Sequence, residues 1–108
     1  MKKTIIAIMF TIIGLPVTTL AVDVNAAYTL AKENDCFRCH GIVRDKDGSA
    51  FKKLAAKYKT DPHNEQKLFF HLTSGELAKF PDGHYEPHHI LKADENDIKN
   101  LVDWILSF

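Results

Sequence analysis

The 108-residue chain has few of the residues that build linkers, staples and long loops: five glycines, four prolines and two cysteines. So little glycine and proline excludes a collagen-like repeat and a low-complexity spacer. Neither sign of charge is in surplus, because Lys plus Arg and Asp plus Glu both number 14. The basic excess expected of a nucleic-acid binder is therefore missing. No apolar run reaches the ~20 residues of a membrane-spanning helix; the longest, Ile5 to Val17, has about 13. The two cysteines lie three positions apart and cannot tie together distant parts of a fold. There is no internal repeat, and no stretch alternates convincingly enough to read as a strand. What is present is an ordinary globular balance, 45% apolar and 26% charged, with an unusual count of six histidines.

The N-terminus reads as an address. Met1-Lys2-Lys3 is basic, Ile5 to Val17 is apolar up to Gly14 and Pro16, and small residues follow at Thr19-Leu20-Ala21. That is the layout of a secretory signal peptide. Residues 1–21 are expected to be removed, with a cut after Ala26 as the alternative, leaving 22–108 as one exported, periplasmic domain without a membrane anchor. Cleavage after Ala21 takes away Lys2 and Lys3 and no acid, so 14 basic residues become 12 against 14 acidic ones. It also removes Met1 and Met9, and with them every methionine in the chain.

The remaining periodicity is helical. Val24, Ala27, Tyr28 and Ala31 share one face of a helix opened by Asp23, whose carboxylate can accept first-turn amides, and closed at Asn34-Asp35. Residues 41–48 read as a loop. Ser49 is placed to cap a helix carrying Phe51, Leu54, Ala55 and Tyr58, with Lys52, Lys53 and Lys57 outside. Asp61-Pro62 reads as a cap and first helical residue, followed by Leu68, Phe69 and Leu72 and ended by Gly75. Residues 76–93, with Pro81, Gly83 and Pro87, are expected to form one long loop. Asp94 opens the last helix, whose stripe is Ile98, Leu101, Val102 and Ile105, widened by Trp104 and Leu106. The expected class is all-α. A chain of this size buries a modest core, and so long a loop has to be held by something more than itself.

Cys36-Phe37-Arg38-Cys39-His40 supplies that something. A C-x-x-C-H pattern is a c-type haem attachment site: two thiols at this spacing add to the two vinyl groups of one haem, and the next residue offers an imidazole to the iron. The competing chemistries are a redox dithiol, which wants a βαβ setting, and a zinc site, which wants a second pair of ligands.

The domain resembles a small single-haem class I cytochrome c of the c-551/c-552 kind. The resemblance rests on Asp23 to His40 (DVNAAYTLAKENDCFRCH), Gly48 to Tyr58 (GSAFKKLAAKY) and Ala93 to Ser107 (ADENDIKNLVDWILS). It implies four or so helices around one covalent haem c. The first and last helices would cross, Val24, Ala27, Tyr28 and Ala31 against Leu101, Val102 and Ile105. It also implies that the Ser49 carbonyl takes the imidazole N–H of His40, a role the family often gives to Pro. The family's usual distal ligand is a Met before the last helix, and here no Met remains. Counting sixteen residues back from Trp104 reaches His88, next to Pro87, where that Met would stand. His88 is the first candidate for the iron's other face, then His89, then His84; His71 is expected at the edge of the haem pocket, and His63 exposed.

An iron held by two imidazoles implies single-electron transfer to redox partner proteins, not enzymatic turnover, at a potential lower than that of a His/Met cytochrome. The alternatives are a haem-based binder of small gases with a dissociable distal His, or an electron-relay subunit of a larger oxidoreductase. Lys52, Lys53, Lys57 and Lys59 form either a docking patch for an acidic partner or a solvated helix face.

Overall fold

The computed structural model of the protein describes residues 2, 4–16 and 21–108. Within it, residues 4–16 form neither helix nor strand, and Ile5, Ile6, Ile8, Phe10, Ile12, Ile13 and Leu15 stand exposed. Among the described residues no helix is long and apolar enough to cross a membrane. Val17, Thr19 and Leu20, part of the expected cleavage region, lie outside the described residues.

Helix α1 (Val24–Glu33) starts where the sequence says it should: Asp23 is extended, and its carboxylate accepts from the Ala26 amide at 3.0 Å. Asn34 closes it, and Asp35 turns the chain with a positive φ of 57° into the four-residue helix α2 (Cys36–Cys39). Helix α3 spans Phe51–Tyr58, α4 Asn64–Ser74 and α5 Glu95–Leu106.

Two expected starts move. Ser49 does not cap α3; Ala50 holds the N-cap position, and its amide is taken by the Asp45 carboxylate at 2.8 Å. The next two amides, of Phe51 and Lys52, donate to the Gly41 and Ile42 carbonyls at 2.9 and 3.0 Å, because the 41–48 loop folds back on itself. Asp61 accepts from the His63 amide at 2.8 Å, but regular helix begins only at Asn64, after a turn through Pro62 and His63.

The expectation of one unstructured loop over residues 76–93 is also corrected. An antiparallel hairpin forms there, β1 (Leu77–Lys79) with β2 (Tyr85–Pro87), in the register Leu77 opposite Pro87 and Lys79 opposite Tyr85. Its turn closes by the Gly83 amide donating to the Phe80 carbonyl at 2.9 Å. Strands of three residues are too short to show a period of two, so the pattern was silent. The fold remains predominantly helical.

The core joins α1, α3, α4 and α5. Ala27 and Ala31 are fully buried, and their small side chains let α1 approach α5, where Ile98, Leu101, Val102, Trp104 and Ile105 are all buried. The expected helix crossing thus stands, with a change of residues. Val24 is exposed, and Tyr28 keeps about half its surface in solvent while its ring meets Trp104 edge-on at 6.3 Å. Val22 and Leu30 pack on the core instead. The first turn of α1 is further fixed by Asn100, whose side chain accepts from the Asp23 amide and donates to the Asp23 carbonyl, both at 2.9 Å.

Candidate haem site

The proximal side is built from contacts within about fifteen residues. Cys36 and Cys39 occupy the two ends of the single turn α2, half-buried and with free thiols. The His40 amide donates to the Cys36 carbonyl at 2.9 Å, so the turn that carries the thiols also positions the imidazole. His40 Nδ1 donates to the Ser49 carbonyl at 2.6 Å, the bond the resemblance implies, made without a Pro. The Phe51 ring stacks on His40 with centroids 5.6 Å apart and is itself almost fully buried against Trp104.

Gly48 completes this frame. A Cβ there would meet the His40 imidazole at 2.5–3.0 Å, closer than side-chain atoms approach. Only a residue without a side chain lets the loop lie flat on the ring. Burial lowers the His40 pKa, so the ring stays neutral with Nε2 free to donate a lone pair.

Burial also pushes the Cys36 thiol up to about 11. A redox-active dithiol needs the opposite, a thiol whose pKa is depressed by positive surroundings. Among the described residues no group of three His, Cys, Asp or Glu side chains is arranged to hold a metal ion such as zinc.

The residues that face His40 come from farther apart in the chain. His88, half-buried just after β2, brings its ring centroid to 6.3 Å from that of His40. His71, on α4, packs its ring 4.1 Å from that of His88, and its Nδ1 meets a Glu76 carboxylate oxygen at 2.6 Å. His88 Nδ1 donates to the His89 carbonyl at 2.9 Å. Burial, and to a lesser extent His71, lowers the His88 pKa to about 4, so this ring too is neutral.

The other histidines are placed elsewhere. His89 is exposed. His84 sits at the hairpin tip with both ring nitrogens occupied, Nδ1 by Asp82 and Nε2 by Glu86 at 3.0 Å. His63 is exposed at the start of α4.

Residues 24–108 match the family model described as Cytochrome c. The chain belongs to the cytochrome c family. It is 33% identical over 89 residues to cytochrome c-551 of Allochromatium vinosum, covering 82% of this chain and 92% of that one. Among solved structures it is similar to the class 1 cytochrome MtoD from Sideroxydans lithotrophicus ES-1. Identity there is 58%, the TM-score is 0.79, and the match covers 81% of this chain and 97% of MtoD. Wild-type cytochrome c552 of Nitrosomonas europaea superposes with a TM-score of 0.62 at 30% identity, over 74% of this chain and 96% of that one.

As a cytochrome c the chain has one covalent haem c as its cofactor, and electron carriage as its function. Its residues fit that group: two thiols and an imidazole on one turn, with aromatic and aliphatic walls around them. Three contributors were not singled out from sequence. Phe51 read simply as core, and Gly48 only as the residue before Ser49. The pairing of His71 with Glu76 runs past the end of α4, where no helical spacing signals it.

Proposed function

We propose that this cytochrome c is an exported single-electron carrier. Its haem c is attached through Cys36 and Cys39 and ligated by His40 on one face and His88 on the other. The observation that supports this is the 6.3 Å between the His40 and His88 ring centroids. With metal–nitrogen bonds of about 2 Å and each ring centre about 1 Å behind its nitrogen, two imidazoles on opposite sides of one ion have centroids about 6 Å apart. Each ring also gives its Nδ1 proton to a backbone carbonyl, which leaves Nε2 as the ligating atom on both. His84, with both nitrogens engaged, and exposed His89 offer nothing comparable.

When bound, the haem supplies a one-electron change at iron with no bond made or broken elsewhere. The chain's own part is to hold the two imidazoles still: Ser49, Gly48 and Phe51 do so for His40. Two nitrogen donors stabilise ferrous iron less than a nitrogen and a thioether, so the potential falls below that of His/Met relatives. Lys53 is paired with Asp45, leaving Lys52, Lys57 and Lys59 along a solvated helix face, which weakens the case for a lysine docking patch.

Export follows from the apolar segment ahead of α1, and cleavage after Ala21 is favoured over Ala26. The later cut would remove Val22 from the core together with the Asp23 cap and its two bonds to Asn100. N-terminal sequencing of the periplasmic product should therefore begin at Val22.

The ligand test is the ferric spectrum of wild type, H88A and H89A. Wild type and H89A are low-spin, and H88A is not; a low-spin H88A with an unchanged spectrum would sink the assignment. A reductive titration should give a midpoint below those of His/Met cytochromes c.

A further inference from the structure

Glu76, His71 and His88 form a closed circuit of contacts beside His40. Glu76 follows the Gly75 that ends α4, so its backbone and side chain diverge. Its carbonyl accepts from the His88 amide at 2.9 Å, fixing the main chain of the distal residue. Its carboxylate accepts from His71 Nδ1 at 2.6 Å, fixing the rotation of that ring. The His71 ring then lies 4.1 Å from the His88 ring, inclined by 44°. The His88 side chain's own hydrogen bond goes to the carbonyl of exposed His89 next to it in the chain. That bond moves with the same loop and cannot by itself hold the ring against α4.

We propose that His71 and Glu76 are positioning residues that bracket His88, setting the plane of the distal imidazole and restraining it from leaving the iron. This rests on His88 being the distal ligand. The bracket decides between two behaviours open to a haem protein with a dissociable His. Held firmly, the sixth position stays closed and the iron only exchanges electrons; released, it admits small ligands.

The experiment mixes carbon monoxide with the reduced holoprotein and follows the rate of the spectral change in wild type, H71A, E76A and E76Q. Ferric electron paramagnetic resonance is recorded on the same samples and on H88A. Because entry of carbon monoxide requires His88 to swing away, H71A and E76A should react about tenfold faster than wild type, the size expected for losing one ordinary hydrogen bond. Their low-spin signals should shift or broaden as the distal ring loses its fixed plane. E76Q, whose amide oxygen accepts the same bond on an exposed residue, should stay within about twofold of wild type. Rates and signals in H71A identical to wild type would overturn the bracket, and E76Q as fast as E76A would overturn the carboxylate–imidazole bond as its link. An H88A signal identical to wild type would instead overturn the ligand assignment beneath it.

Discussion

The two sides of the site differ in how far the chain travels to build them. On the proximal side, Cys36, Cys39, His40, Gly48, Ser49 and Phe51 fall within sixteen residues, and nearly every restraint on His40 is local in sequence. On the facing side, the position of His88 depends on α4, on the hairpin and on the return of the chain to α1. The Leu91 amide donates to the Leu72 carbonyl at 2.9 Å, and the Lys92 amide to the Asn34 side chain at 3.3 Å. A locally built frame is rigid because little chain entropy separates its parts, whereas a frame closed over long loops yields more readily.

The largest effect should come from the proximal frame. Phe51 is buried between His40, Phe37 and Trp104, so F51A should cost about 3–5 kcal/mol of unfolding free energy, measured by denaturant titration. A loss under about 1 kcal/mol would show that the proximal side tolerates a void and is not the stiffer one.

A pair of glycine substitutions sharpens the same contrast. In G48A the new methyl group meets a ring pinned by Ser49 and Phe51, costing about 1–3 kcal/mol and perturbing the spectrum. In G75A the residue has a φ of 67° and its Cβ meets the flexible end of Ile90 at 3.1 Å, so about 1 kcal/mol is lost and the spectrum stays. Equal effects would erase the distinction between the two sides.

The smallest effect lies at the hairpin tip. Asp82 and Glu86 raise the His84 pKa above its ordinary value of 6.5. A raised pKa means that the charged ring stabilises the fold fully below about pH 6.5 and stops doing so as pH climbs through the folded-state value. The melting difference between wild type and H84Q should therefore be greatest in mild acid and vanish in alkali. A difference that grew with pH would reverse the assignment.

Helices α1, α3, α4 and α5 were legible because each carries a stripe of apolar side chains, and all of α5's buried residues could be named in advance, whereas of the expected capping bonds only that of Asp23 forms. The haem motif was equally open to reading, since its chemistry needs residues adjacent in sequence. Val24 misled because spacing alone cannot say where along a helix the neighbouring element ends; the packing of α5 leaves it outside. The hairpin was invisible because strands of three residues owe their pairing to the turn and to their surroundings rather than to pattern.

By itself, then, the sequence determined the covalent chemistry, the confinement of both methionines to the first nine residues and the helices that frame the site, all products of short-range order. Which histidine lies nearest His40, and the contact of Glu76 with His71 beside it, only the tertiary structure decided. Those groups lie on separate segments, and nothing but the packing of α4 and the hairpin brings them within reach of one another.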